Sequence, residues 1–108
     1  LKKFSNKEIF MDFEKIKQEK FSFVYLTTKT CNVCKILQPK LRKLANEFDD
    51  ATFHKIYLEE FPEATGDFMA FAVPTFVVYV EGREVLRTAR HISIDNVREK
   101  LSRLYGML

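Results

Sequence analysis

The sequence is unusually poor in several residue types. Its 108 residues include three glycines, three prolines, two cysteines and no tryptophan. Disordered and loop-rich chains are enriched in glycine and proline, so their scarcity argues against both classes. Two cysteines are too few for the disulfide framework of a small secreted domain. No stretch approaches the ~20 apolar residues that a membrane-spanning helix requires, so we expect no membrane association.

The abundant residues are those that form a hydrophobic core, which make up 46% of the chain and include eleven phenylalanines. This composition and length predict one domain over residues 1–108. The net charge of +3 does not form a basic cluster, so we expect no nucleic-acid partner. The first ten residues lack the apolar segment of a signal peptide, which predicts the cytoplasm. The start at Leu1 instead of Met leads us to expect native residues upstream.

The spacing of apolar residues alternates between helical and strand periods along the chain. The first helix has a capping pattern in Ser5 and Glu8, and the helix after Phe61 offers Phe68, Met69 and Phe71 to the core. The predicted elements, in order, are a helix from Ser5 to about Glu19, a strand over Phe21–Thr27, a helix from the cysteines to about Phe48, a strand within 51–59, a helix starting at Pro62, a hairpin of Thr75–Val80 and Glu84–Arg87, and a helix capped by Ser93.

The connections between these elements predict the fold class. Helices join the early strands, which therefore run parallel, whereas the short turn at Glu81-Gly82-Arg83 joins an antiparallel pair. The expected architecture is α/β, with a mixed central sheet and helices on both of its faces.

The two cysteines, Cys31 and Cys34, lie at the junction between a predicted buried strand and the helix that follows it. The unsatisfied N–H groups and the dipole of a helix N-terminus favour a thiolate at the first cysteine, as disulfide exchange requires. Two other interpretations remain open, a zinc site and a pair of inert buried thiols. Zinc would need two further ligands, but His54 and His91 do not supply the second half of a zinc motif and are better explained as structural residues, so we expect no metal.

Beyond the cysteine pair, the chain resembles the thioredoxin superfamily over nearly its whole length. The resemblance rests on Cys31-Asn32-Val33-Cys34 followed by Lys35, on Pro39 within the same helix, and on "AVPTFVVYVEGREV" downstream. It implies a thioredoxin fold in which Cys31 is the nucleophile and Cys34 the resolving thiol. It also implies a cis Val73–Pro74 bond, a substrate chain that pairs with the backbone of Val73, and no cofactor. The implied substrate-binding residues are Thr30, Val73, Pro74, Thr75, Arg90 and His91.

Several positions depart from the family pattern. Thr30 stands where thioredoxins usually have tryptophan, and Asn32-Val33 replaces Gly-Pro between the cysteines, where the residues tune thiolate stability. Tyr25 replaces a buried aspartate, so proton transfer at Cys34 would use water or the Tyr25 hydroxyl. The lysine partner of that aspartate is retained as Lys55, which would either support a thiolate or extend to solvent. Arg90 or His91 replaces the glycine of the substrate groove.

Together these features predict a thiol–disulfide oxidoreductase that acts through Cys31 and Cys34 on disulfide-bearing proteins. Reduction is the expected direction in cell redox homeostasis, with electrons supplied by a flavoprotein reductase. The departures at Thr30, Tyr25 and Arg90 motivate an alternative, a thioredoxin-fold binding module with little turnover.

Overall fold

The computed structural model describes residues 11–107, which form a central sheet flanked by helices. Hydrogen bonding along the chain defines four helices and four strands within this range. They are, in order, α1 (Phe13–Gln18), β1 (Phe21–Thr27), α2 (Asn32–Ala45), β2 (Ala51–Tyr57), α3 (Ala64–Asp67), β3 (Thr75–Val80), β4 (Arg83–Ala89) and α4 (Ile94–Tyr105).

The sheet has the strand order β2-β1-β3-β4. β1 runs parallel to β2, with Tyr25 opposite Lys55, and antiparallel to β3, with Tyr25 opposite Phe76. β3 and β4 are antiparallel and joined by the predicted short turn, in which Glu81 and Gly82 both have positive φ. The prediction of a mixed α/β sheet is therefore confirmed.

Helices cover both faces of the sheet because alternate residues of each strand point to opposite sides. One core lies between the sheet and the pair α2 and α4, and the other lies between the sheet and the pair α1 and α3. In β1, which is buried along its whole length, Phe23 and Tyr25 enter the first core, while Val24 and Leu26 enter the second. The cysteine pair is on the side of the first core.

The prediction for the first helix is wrong in the part of it that the structure describes, because residues 11 and 12 are not helical. α1 begins at Phe13 because Asp12 has an extended backbone and its carboxylate accepts a hydrogen bond from the N–H of Lys15. Asp12 is thus an N-cap, which interrupts the single helix expected from Ser5 to Glu19. The capping pattern of Ser5 and Glu8 lies outside the described residues.

The assignment of Met69 and Phe71 to the core is also wrong. α3 is only four residues long, and Met69 adopts a left-handed φ of 52°, so the helical period ends before either residue. Phe68 is buried as predicted, but Met69 and Phe71 are 65% and 75% exposed. Both lie in the segment that leads to Pro74. No helix within residues 11–107 is long and apolar enough to cross a membrane.

The hairpin turn between β3 and β4 packs against the end of α1. The N–H of Gly82 donates to the carbonyl of Lys17 across 2.8 Å, and the N–H of Glu81 donates to the carbonyl of Glu19 across 3.0 Å. A side chain at position 82 would also meet the amide group of Gln18. Glycine suits this position because of its φ of 91°, whereas the Gln18 amide is the end of a flexible side chain that can move aside.

Candidate active site

The two cysteines form a disulfide at the start of α2. Cys31 is the N-cap, with an extended backbone, and Cys34 lies in the first turn of the helix. Their Cα atoms are 5.2 Å apart, within the range that a disulfide bridges. The backbone N–H of Cys34 donates a hydrogen bond to Cys31 Sγ across 3.2 Å.

This geometry stabilises negative charge on the sulfur of Cys31 once the disulfide is opened. A hydrogen bond from a backbone N–H and the positive end of the helix dipole both favour thiolate over thiol. The first turn of α2 contains no acidic residue, so no carboxylate there repels the negative charge of the thiolate.

The two sulfurs differ in their access to solvent. Cys34 is only 1% exposed and belongs to the hydrophobic core, whereas Cys31 is partly exposed and packs at the edge of that core. Between them, Asn32 is exposed and Val33 is 61% exposed. A substrate can therefore reach Cys31 but not Cys34.

Pro74 lies in the loop before β3, and its peptide bond with Val73 is cis. The hydroxyl of Thr75 donates to the carbonyl of Ala72, which closes this loop. Val73 packs against the same core as Cys31. The cysteine pair and Val73 therefore border the same core, on one side of the sheet.

Tyr25 is fully buried on β1, beneath the cysteine helix. Its hydroxyl donates a hydrogen bond to the backbone carbonyl of Cys34 across 2.9 Å, and not to the sulfur. Burial raises the pKa of Tyr25 to about 12, so the hydroxyl stays protonated at neutral pH.

Lys55 is the neighbour of Tyr25 in the parallel pair of β1 and β2. Its ammonium donates to the hydroxyl of Tyr57 across 3.0 Å and to the side-chain oxygen of Gln38 across 3.4 Å. It also lies 4.7 Å from the centre of the Tyr57 ring. The ammonium is thus held by neighbouring side chains, a third arrangement that differs from both expected ones.

Arg90 and His91 follow β4 and complete the opposite wall of the site. Arg90 has a left-handed φ of 66°, and its N–H donates to the carbonyl of Pro74 across 2.8 Å. Both side chains are exposed and line a groove together with Val33 of α2. Of the two candidate positions for the missing glycine, Arg90 is the one with a backbone conformation that suits glycine.

The remaining predicted residues surround this centre or lie away from it. Thr30 is exposed immediately before Cys31, and Pro39 lies inside the continuous helix α2. His54 is paired with Glu19, with 2.7 Å between His54 Nε2 and Glu19 Oε1, in a structural contact between β2 and the segment before β1. Within residues 11–107 no cluster of His, Cys, Asp and Glu side chains could hold a metal ion.

Two exposed apolar residues near the site were not predicted from the sequence. Ile36, one turn beyond Val33, is 65% exposed, and Phe71 stands three residues before Pro74. Ile36 falls outside the buried stripe of α2, which contains Leu37, Leu41 and Leu44, so the helical period alone could have identified it as an exposed apolar residue.

Comparison with known proteins agrees with this geometry. The family model described as Thioredoxin matches residues 3–103, and the chain belongs to the thioredoxin family. The thioredoxin-like protein YdfQ of Bacillus subtilis is 36% identical over 92 residues, which cover 85% of this chain and 82% of that protein. Thioredoxin H2 of Arabidopsis thaliana is 30% identical over 95 residues, covering 87% of this chain and 71% of that protein.

Solved structures show the same fold. Thioredoxin O2 of Arabidopsis thaliana, in its oxidised state, superimposes with a TM-score of 0.75 at 22% identity, covering 94% of this chain and 86% of that chain. Thioredoxin 1 of Thermosipho africanus superimposes with a TM-score of 0.70 at 29% identity, covering 80% of this chain and 96% of that one. The family and the disulfide at the helix N-terminus together suggest thiol–disulfide oxidoreductase chemistry.

Proposed function

We propose that this protein is a thiol–disulfide oxidoreductase that reduces disulfides in protein substrates through Cys31 and Cys34. The observation that carries the proposal is the arrangement of the two sulfurs. One is accessible and accepts a backbone hydrogen bond at a helix N-terminus, and the other is buried one turn further on. An inert pair of core thiols would require neither the helix terminus nor the accessible sulfur.

The reaction proceeds in two exchanges. The Cys31 thiolate attacks one sulfur of the substrate disulfide, which forms a mixed disulfide and releases the other substrate sulfur as a thiolate. Cys34 then loses its proton to water and attacks Cys31 Sγ, which forms the Cys31–Cys34 bond and releases the second substrate thiol. Two protein thiols are oxidised to one disulfide, and one substrate disulfide is reduced to two thiols.

The neighbouring residues have supporting roles in this proposal. The backbone edge at Val73 receives the substrate chain beside Cys31, as an exposed edge receives an added strand. Tyr25 fixes the Cys34 carbonyl, and Lys55 donates to Tyr57 and Gln38. Thr30, Asn32 and Val33 form the accessible surface around the attacking sulfur.

We further propose that the protein works in a reducing compartment, the cytoplasm, because a reductase must be returned to its dithiol form. A flavoprotein reductase would supply the two electrons for each cycle. The exchange itself needs neither a metal nor an organic cofactor, since both bonds change between sulfur atoms.

Insulin reduction with dithiothreitol as the electron source tests the proposal. The wild-type protein is expected to accelerate precipitation of the released insulin chains, and Cys31→Ser to show only the dithiothreitol background. Cys34→Ser is the matched variant, since it retains the nucleophile and should accumulate mixed disulfides that can be isolated from a lysate.

Equal rates for wild type and Cys31→Ser would overturn the oxidoreductase assignment. If Cys34→Ser also captured no protein through a disulfide, the binding-module alternative would become the better explanation of the fold.

A further inference from the structure

Arg90 stands between two grooves that flank the site. The first, of about 330 Å³, runs from Val33 and Leu37 on α2 to the His91–Ser93 segment. The second, of about 380 Å³, lies between the exposed segment that contains Phe71 and the end of β4. Arg90 lines both grooves, so its side chain borders any chain that passes the cysteine pair along either one.

The charge of Arg90 is uncompensated within the described part of the chain. Its guanidinium makes no hydrogen bond or ion pair with a residue between 11 and 107, and no Asp or Glu side chain lines either groove. By contrast, Arg87 is paired with Glu84 across 2.9 Å, and Arg98 with Glu47 across 3.0 Å. Arg90 is therefore available to a carboxylate brought by a partner.

The backbone holds this charge beside the substrate edge. The hydrogen bond from the N–H of Arg90 to the carbonyl of Pro74 fixes residue 90 next to the Val73–Pro74 bond. A left-handed φ at a residue with a Cβ costs about 1 kcal/mol or more. The position would suit glycine, and a long cationic side chain occupies it instead.

We propose that Arg90 is a specificity-determining residue that selects protein disulfides whose cysteine is flanked by an acidic residue and an apolar residue. The inference rests on the proposed function and names its substrate class. The guanidinium binds the flanking carboxylate, since its planar N–H groups match carboxylate geometry. The apolar neighbour packs in the groove beside Val33 or beside Phe71, which are 61% and 75% exposed.

Single-turnover kinetics with matched peptides test this selection. Each short peptide carries one cysteine as its mixed disulfide with thionitrobenzoate, and the flanking residue is Glu, Gln or Lys. Reduced protein, freed of dithiothreitol, attacks the peptide sulfur and releases coloured thionitrobenzoate. We expect the Glu peptide to react about 1.5 to 5 times faster than the Gln peptide, the range of an exposed charge pair, and the Lys peptide to react slowest.

Three variants separate the charge of Arg90 from other effects. Arg90→Lys should retain most of the preference, and Arg90→Gly should abolish it without strain at the positive φ. Arg83→Gln removes the same charge from an exposed residue at the opposite end of the β3–β4 hairpin, and it should leave the preference unchanged. About 1 M salt should reduce the preference in the wild type, because screening weakens exposed pairs.

The outcomes are distinguishable. Equal rates for the Glu and Gln peptides, or a preference that survives in Arg90→Gly, would overturn the selection while leaving the oxidoreductase activity intact. Failure of every peptide to release thionitrobenzoate would overturn the proposed function and this inference with it.

Discussion

The hydroxyl of Tyr25 donates a hydrogen bond to the backbone carbonyl of Cys34. It joins the centre of the sheet to the first turn of the cysteine helix at a position where thioredoxins have an aspartate. An aspartate could accept the proton of the resolving thiol. A hydroxyl with a pKa of about 12, whose hydrogen is directed at a carbonyl, does not serve as a base near neutral pH.

Replacing Tyr25 by Phe should therefore lower the stability of the protein without changing proton transfer at Cys34. Loss of one buried hydrogen bond should lower the free energy of unfolding by about 1 kcal/mol in urea titrations of the oxidised protein. The pH dependence of the second exchange, in which Cys34 resolves the mixed disulfide, should stay as in the wild type when followed by rapid quench. Tyr79→Phe is the control, because Tyr79 is also buried and its hydroxyl makes no hydrogen bond with a residue of the described range. A shifted pH profile in Tyr25→Phe alone would assign proton transfer to this hydroxyl.

The positive φ of Arg90 predicts a stabilising substitution. Arg90→Gly should raise the free energy of unfolding by about 1 kcal/mol, because glycine adopts a left-handed backbone without the steric cost of a Cβ. Urea midpoints of the oxidised proteins measure the change. Arg90→Lys keeps the Cβ and should match the wild type, and a similar gain in Arg90→Lys would show that strain is not the cause.

Two phenylalanines three residues apart should respond very differently to truncation. Phe68→Ala should cost about 3–5 kcal/mol, because Phe68 is 1% exposed and packs edge-on against Phe13 with 5.2 Å between ring centres. Phe71→Ala should change stability by less than about 0.5 kcal/mol, because Phe71 is 75% exposed. Thermal or urea unfolding of both variants tests the pair, and equal losses would contradict the described burial.

The Glu19–His54 contact predicts a stability contribution that disappears in acid. Burial alone raises the pKa of Glu19, but hydrogen bonds from Thr52 and His54 outweigh it and leave the pKa below its ordinary value of 4.5. Because the pKa of Glu19 is lower in the folded state than in the unfolded state, its carboxylate stabilises the fold at pH values above the unfolded-state pKa. This stability is lost as the pH falls through the folded-state pKa.

Comparison of wild type with Glu19→Gln isolates this contribution. The difference in unfolding free energy, less than about 1 kcal/mol for a partly exposed pair, should be present above about pH 4.5 and shrink below it. Urea titrations at several pH values measure it. A difference that grows as the pH falls below about 4.5 would mean that the pKa of Glu19 is raised instead.

The elements that position the site could be predicted because their signals are local. The buried run Phe21–Thr27, the cap at Ser93 and the glycine turn after Val80 each predict structure from neighbouring residues, and each is found. The position of Cys31 at the helix N-terminus follows from the same kind of signal.

The errors and omissions depend on contacts distant in sequence or on competing local signals. Asp12 begins a new helix at Phe13, although the apolar spacing of the sequence continues through this position and does not mark a helix start there. The exposure of Met69 and Phe71 follows from the early end of α3. Tertiary packing produces the hydrogen bond from Tyr25 to the Cys34 carbonyl and the left-handed backbone of Arg90. No short stretch of sequence encodes either feature.

The reduction potential of the Cys31–Cys34 pair, measured by equilibration with glutathione, tests the central claim most directly. A protein-disulfide reductase should have a potential close to that of thioredoxin, about −270 mV, so that the dithiol form donates electrons to substrate disulfides. A potential close to that of the oxidant DsbA, about −120 mV, would contradict the account, because the pair would then withdraw electrons from its partners.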